Sequence, residues 1–226
     1  MEPDTVAWNV GISACDRGQQ WEFSFHLLRE LCRSRLRPDA ATCSAVVSAC
    51  GRCEQWEAAL FALESLLQRR LAPDLVSCNA AIAACEGKGR WHQALRLLAS
   101  LRRLRLEPDL LSCNSAASAC ARGGRWLAAL ALQMETQQLA LEPSRVTWNA
   151  AAAACEGGHR WRQSCQLLHA MALRGPVPDV LTCGAALSSC DRGAGHATVP
   201  SLLCSLDAVA AALLEPALSH AIGCSR

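Results

Sequence analysis

The chain has 226 residues, of which 51% are apolar and 19% charged, and its formal net charge is +2. This apolar fraction argues against disorder, and so small a net charge excludes a protein that coats polyanions through bulk charge. Tyrosine is absent and aromatic residues make up 4% of the chain, which disfavours a fold that stacks many bases on aromatic platforms. No segment has 18 apolar residues without a charge, so we expect no membrane-spanning helix and no membrane partner.

Three residue types recur with a period of 35 residues, all in one register. The tryptophans are Trp21, Trp56, Trp91, Trp126 and Trp161. The cysteines are Cys15, Cys50, Cys85, Cys120, Cys155 and Cys190. The prolines are Pro3, Pro38, Pro73, Pro108, Pro143 and Pro178. Such regularity is typical of a repeat protein in which each unit buries its core against its neighbours.

The repeats are numbered here so that each ends on the residue after its proline. Units 1 to 5 are residues 5–39, 40–74, 75–109, 110–144 and 145–179. Residues 1–4 are interpreted as the remnant of a preceding repeat, because they end in Pro3-Asp4. Residues 180–226 are interpreted as a degenerate repeat and a helical C-terminal tail, in which the apolar segment 206–214 is a candidate closing helix.

Each unit has the pattern of two helices. In unit 3, Cys78, Ile82 and Cys85 lie at i, i+4 and i+7, one stripe of a helix. A glycine-rich break follows, and a leucine-rich segment then runs from Trp91 until Pro108 prevents a helix from continuing. The sequence therefore predicts an all-α fold, an α-solenoid of 35-residue antiparallel helix pairs. The first helices should line the concave face, and the five tryptophans of the second helices should be largely buried.

A 35-residue helix pair that ends in Pro-Asp, with Asn early in the next unit, resembles the pentatricopeptide repeat family. In unit 3 the resemblance rests on Val76-Ser-Cys-Asn79 and Leu106-Glu-Pro-Asp109. Matching segments in the other units extend it over roughly residues 3–192. The resemblance implies a right-handed superhelix that binds single-stranded RNA, one nucleotide per repeat, with the first repeat toward the 5′ end. In this family the fifth and the last residue of each unit select the base.

Carried over to this chain, the resemblance implies three sets of site residues. The base-selecting pairs are Asn9 with Asp39, Ser44 with Asp74, Asn79 with Asp109, Asn114 with Ser144, and Asn149 with Asp179. The apolar base clamps, at the second position, are Val6, Val76, Leu111 and Val146, with Ala41 a weak clamp in unit 2. The phosphate-contacting residues are Arg17, Arg52 and Arg122, whereas Gly87 and Gly157 hold this position in units 3 and 5.

The family's correspondences give a base for each unit. Asn with Asp resembles the uracil pair, Ser with Asp the guanine pair, and Asn with Ser leans to cytosine. The array would then select 5′-U-G-U-C-U-3′, with U tolerated at the fourth place. Gly184 and Leu214, at the same positions after unit 5, match no pair.

Two of these recurring positions, the Asp at the end of each unit and the Arg at the end of the first helix, also have a structural explanation. Asp at the start of a helix caps free N–H groups and interacts favourably with the helix dipole. Arg at the end of the first helix complements the negative end of that dipole. Asn in the middle of a first turn is a mediocre helix former, so its recurrence is harder to explain by structure alone.

Metal and enzyme signatures are weak. Cys50-Gly-Arg-Cys53 is a CxxC motif, but a zinc site needs two further ligands, and no second CxxC or suitably spaced His pair exists. No His is followed by Glu two residues later, and no P-loop or G-x-S-x-G motif is present. We therefore expect no enzymatic activity, cofactor, metal or small-molecule substrate. We also expect the cysteines to be reduced.

Two classes of function remain open. The first is RNA binding, with single-stranded RNA and other RNA-processing proteins as partners. The second is a protein-interaction scaffold of the tetratricopeptide-like type. The resemblance implies a chloroplast or mitochondrial location. Because the chain starts without an Arg-rich transit segment, we expect that upstream repeats and a targeting segment precede it in a longer protein.

Overall fold

The computed structural model describes residues 5–34, 36, 38–69, 71–138, 143–174 and 176–193. Within these ranges the chain forms eleven α-helices and no strand, which confirms the predicted all-α solenoid. The helices are α1 (Thr5–Arg17), α2 (Trp21–Arg33), α3 (Ala40–Arg52), α4 (Trp56–Gln68), α5 (Leu75–Glu86), α6 (Trp91–Arg103), α7 (Leu110–Arg122), α8 (Trp126–Gln138), α9 (Arg145–Gly157), α10 (Trp161–Arg174) and α11 (Val180–Gly193). The predicted remnant 1–4, the tail beyond 193 and Leu214 lie outside the described residues.

The odd-numbered helices, called front helices below, begin at the predicted caps. Asp39, Asp74 and Asp109 have extended backbones, and each accepts a hydrogen bond on its side chain from the N–H three residues later. This contact satisfies one of the free N–H groups of the first turn. The period of the sequence therefore fixes where each front helix starts.

The front helices pack side by side in one continuous row, from α1 to α11. Their buried positions are mostly small residues, which lets the backbones come close together. At Gly51 a Cβ would lie 2.6 Å from the carbonyl oxygen of Ala80 on the next front helix, so only glycine fits there. The even-numbered, or back, helices pack against their own front helix and the following one, and their backbones stay farther from each other. From this packing we expect the array to curve with the front helices on the inside.

One apolar core runs from unit 1 into the front helix of unit 5, and a second, smaller cluster with Leu168, Ala186 and Cys190 lies between α10 and α11. Ile12, Val46, Leu66, Ile82 and Leu101 are completely buried and belong to the first, larger cluster. Each unit thus stabilises the next by covering its apolar face, as in other solenoids.

The five repeated tryptophans have more of each side chain covered than exposed, which agrees with the prediction that they are largely buried. They pack against the core, and one ring face is left for the following unit. The guanidinium of Arg90 lies 4.7 Å from the centre of the Trp56 ring, Arg125 lies 4.4 Å from Trp91, and Arg160 lies 4.7 Å from Trp126. Each Arg directly precedes the tryptophan of its own unit. A charged, hydrated group therefore covers the outer face of the ring.

Unit 2 has Gln55 at the position where units 3 to 5 have this arginine. Replacing Gln55 by Arg should place a guanidinium over Trp21 and raise the free energy of unfolding by about 0.5–1 kcal/mol. The reverse change, Arg125→Gln, should lower it by a similar amount. Urea unfolding followed by far-UV circular dichroism measures both. If both variants have the same free energy of unfolding as the parent protein, the contacts between ring and guanidinium do not contribute to stability.

Candidate nucleic-acid interface

Both members of each predicted base-selecting pair lie in contact across the boundary between consecutive units. The hydrogen bonds run from Asn9 Nδ2 to Asp39 Oδ2 (3.2 Å), from Ser44 Oγ to Asp74 Oδ1 (3.3 Å), from Asn79 Nδ2 to Asp109 Oδ2 (3.0 Å), from Asn114 Nδ2 to Ser144 Oγ (3.2 Å), and from Asn149 Nδ2 to Asp179 Oδ2 (3.0 Å). The contact arises because the fifth residue lies on the first turn of one front helix and the unit's last residue caps the neighbouring front helix. Selection of a base by these pairs stays a prediction.

The capping role and the pairing role coexist in the same side chain. Asp109 Oδ1 accepts the N–H of Ser112 at 2.8 Å, while both Asp109 oxygens accept from Asn79. Ser144 starts α9 with an extended backbone, but its side chain accepts no hydrogen bond from a helix N–H. Asp39, Asp74 and Asp109 therefore cap the next front helix and at the same time pair with Asn or Ser of the preceding one.

Hydrogen bonds keep three of these carboxylates ionised. The Thr42 hydroxyl and the Thr42 N–H lower the pKa of Asp39, and the Asn149 amide lowers the pKa of Asp179. At Asp74, burial opposes ionisation, but the hydrogen bonds from Ser77 and Ser44 together lower its pKa. At neutral pH the pairs that contain Asp39, Asp74 and Asp179 therefore each carry a charged acceptor.

These shifts predict a loss of stability in acid. A carboxyl whose pKa is lower in the folded state contributes stability above its unfolded pKa, and that stability is lost as pH falls through the folded value. We expect the urea midpoint to stay level from neutral pH down to about 5 and to fall below about pH 4. The Asp39→Asn variant should show a smaller drop. An equal drop in the variant would mean that Asp39 is not among the groups responsible.

The predicted clamp residues form a row of exposed apolar side chains on the front helices. Val6, Val76, Leu111 and Val146 are between 59% and 66% exposed. They recur at the second position of their units, where the core requires no apolar side chain. Recurring exposure of this kind marks a binding surface more often than a packing site.

A cavity of about 400 Å³ brings the three predicted sets together at unit 3. It is lined by the clamps Val76 and Leu111, by the pair Asn79 and Asp109, and by Arg52. This volume falls within the range of about 300–1,000 Å³ that is usual for ligand pockets. The cavity is therefore lined by two apolar side chains, a polar pair and a cation, which come from three consecutive units.

The predicted phosphate-contacting residues Arg17, Arg52 and Arg122 are all exposed. Arg52 Nε lies 3.3 Å from Asp16 Oδ1, a carboxylate on the preceding front helix. Arg17 Nε donates to the Ser13 carbonyl of its own helix at 3.4 Å. Asp16 thus holds Arg52 in place and also offsets part of its charge, which sequence reasoning did not anticipate.

A fourth set of residues beside the pairs was missed at the level of sequence. The third residue of each following unit carries a hydroxyl and is buried: Thr42, Ser77, Ser112, Thr147 and Thr182. These hydroxyls donate to the Asp or Asn of the adjacent pair. The recurrence of Ser or Thr at this position with the 35-residue period was the available signal.

The described residues contain neither a group of three potential metal ligands nor a helix long and apolar enough to cross a membrane. The thirteen cysteines of this part of the chain form no disulfide with one another. Burial raises the pKa of Cys50 to about 12 and that of Cys85 to about 11, so both thiols stay protonated at neutral pH. Cys50 is a packing residue, and the CxxC motif has no zinc-binding partners among these residues.

Comparison with known proteins identifies the fold. No family model matches the chain, and a search of curated proteins gives no match. The crystal structure of the pentatricopeptide repeat protein PPR10 from maize matches 92% of this chain, with a TM-score of 0.67 and 26% sequence identity. PPR10 in complex with an 18-nt psaJ RNA element matches 89% of it, with a TM-score of 0.71 and 17% identity. The chain spans 30% and 29% of these two PPR10 chains. The fold is that of the pentatricopeptide repeat proteins, as the sequence resemblance predicted.

Proposed function

We propose that this pentatricopeptide-repeat array binds single-stranded RNA, one base per repeat, and selects 5′-U-G-U-C-U-3′ with units 1 to 5. The observation that carries the proposal is the cavity at unit 3, which Val76 and Leu111 line together with the Asn79–Asp109 pair and Arg52. Two apolar walls suit the faces of a base, and the polar pair suits its Watson–Crick edge. The similarity to PPR10, one structure of which contains RNA, supports the same assignment.

The array acts by occupancy in this proposal. A bound transcript would be shielded, remodelled or presented to other RNA-processing proteins, with effects on RNA processing, stability or translation. The proposed location is the chloroplast or the mitochondrion, in keeping with the family resemblance. No catalytic residue, cofactor or metal takes part.

A protein-interaction scaffold is the alternative, and one observation favours it. A cavity of about 550 Å³ lies between α4 and α6 on the back helices, and its eleven lining residues comprise five leucines and polar or charged residues that include Glu64, Arg96 and Arg103. It is larger than the cavity at unit 3 and lies away from the predicted RNA surface. An apolar helix of another protein would fit such a groove.

Binding of fluorescently labelled 5′-UGUCU-3′, measured by anisotropy between about 50 and 200 mM salt, tests the proposal against the alternative. A scrambled oligonucleotide of the same composition and a duplex containing the same site are the controls. RNA binding predicts tighter binding of the intended single strand and an affinity that falls as salt rises. Equal, negligible binding of all three RNAs would leave the scaffold as the better account.

A further inference from the structure

The row of predicted phosphate contacts is interrupted at the end of front helix α5. The helices α1, α3 and α7 each have an arginine in the last turn, whereas α5 has no basic residue there and ends beside Gly87. A Cβ on Gly87 would overlap the carboxylate of Glu54, which reaches this point from the turn of the preceding unit. In unit 3 a negative charge therefore occupies the place that Arg17, Arg52 and Arg122 take in their own units.

The backbone of the turn aims this side chain at the next unit. Glu54 has a φ of 54°, in the left-handed region. The same position 35 residues later is Gly89, with a φ of 60°, and a Cβ there would lie 3.0 Å from the backbone carbon of Arg122. The turn of one unit thus faces the end of the next front helix. Glycine leaves Arg122 uncovered, whereas glutamate fills the corresponding place with a carboxylate.

The negative charge at this point is not balanced by an ion pair. Glu54 forms none with another residue of the described part of the chain, unlike Asp16, whose carboxylate lies 3.3 Å from Arg52 Nε. Glu86 adds a second carboxylate in the last turn of α5, and its Oε1 accepts the hydroxyl of Ser118 at 2.7 Å. The C-terminal end of α5 also carries the negative end of the helix dipole. All three contributions repel a phosphate.

We propose that Glu54 is a positioning residue, which excludes the RNA phosphate from the end of α5 so that the strand is held by its phosphates on either side of this point. This inference rests on the proposed RNA-binding function. Arg52 lines the cavity of unit 3, and by the same period Gly87 and Glu54 stand beside unit 4. The excluded phosphate is then the one between the third and the fourth base. Arg17, Arg52 and Arg122 meet the phosphates that precede the second, third and fifth bases.

The direct test uses versions of 5′-UGUCU-3′ in which one phosphate at a time is replaced by an uncharged methylphosphonate. On the unmodified protein, replacement before the second, third or fifth base should weaken binding about twofold to fivefold, the range for an exposed ion pair. Replacement before the fourth base should leave the affinity unchanged or raise it. Equal weakening at all four places would overturn the inference, and is the result expected if Lys88, the exposed residue after Gly87, holds this phosphate.

Glu54→Gln removes the charge and keeps the length of the side chain. Gln19 holds the same position in unit 1 with a φ of 55°, so glutamine fits this turn. The variant should bind the unmodified RNA about twofold to fivefold more tightly at about 50 mM salt, with a smaller gain at about 200 mM because salt screens the repulsion. Glu30→Gln is the matched control on back helix α2, where Glu30 pairs with Arg33, and should leave the affinity unchanged. Equal affinity of the Glu54 variant and the parent, or equal gains in both variants, would overturn the inference.

A third comparison restores the missing cation. Gly87 has a φ of −53°, which any residue adopts, so Gly87→Arg fits the backbone. Alone it should gain little affinity, because Glu54 would pair with the new guanidinium. Combined with Glu54→Gly it reproduces Gly89 and Arg122 of the next unit and should steepen the slope of log affinity against log salt by about 0.7. Equal gains from the single and the double variant would contradict the role of Glu54. A failure of every RNA to bind the unmodified protein would instead refute the proposed function.

Discussion

Replacing Asn79 by serine should change the preferred third base from uracil to guanine and leave the other four preferences as they are. The variant gives unit 3 the Ser–Asp pair that unit 2 has in Ser44 and Asp74, whose side chains lie 3.3 Å apart. Binding of the parent RNA should fall about tenfold or more, by analogy with the about 1–3 kcal/mol that one good side-chain–base pair contributes in DNA recognition.

The reciprocal change, Ser44→Asn, is the control and should convert the second base to uracil. Both variants are measured against RNAs with all four bases at the second and third places. If Asn79→Ser weakens every RNA equally, Asn79 supports the fold of the groove and does not choose the base.

Replacing Arg17, Arg52 and Arg122 together by alanine should weaken binding of all RNAs alike. These residues carry the predicted phosphate contacts and have no predicted role in base choice. Each lost contact with a single strand should make the slope of log affinity against log salt shallower by about 0.7, so the triple variant should lose about 2 in slope. Preferences among bases should be the same as in the parent protein.

The matched control removes three arginines from the back helices, Arg33, Arg96 and Arg103, which are also exposed. It changes the net charge by the same amount and should leave the salt dependence nearly intact. If both triple variants lose equal affinity, the RNA responds to the net charge of the protein and not to a path along the front helices.

Much of the fold could be predicted because every constraint repeats with one period. The proline and aspartate columns fix the start of each front helix, and the spacing places Asn79 one helix away from Asp109. The contact within each predicted pair follows from this register alone. The same reasoning located the exposed second-position side chains, such as Val76 and Leu111.

What could not be predicted depends on side-chain geometry between units. Trp91 is covered by an arginine of the following unit, Arg125, which lies over the ring. Arg52 pairs with Asp16 of the preceding unit, and nothing in the sequence links these two positions. Whether a third-position hydroxyl donates to asparagine or to the cap residue depends on its rotamer, which the residue type does not fix: Thr147 and Thr182 are both threonines and differ.

The central claim is that consecutive units contact consecutive bases through their fifth and last residues. Dissociation constants for a complete set of single-base variants of 5′-UGUCU-3′, measured at one salt concentration, test it most directly. The account predicts a separate preference at each place: uracil at the first, third and fifth, guanine at the second, and cytosine or uracil at the fourth. Dissociation constants that do not depend on the base at any place would contradict it.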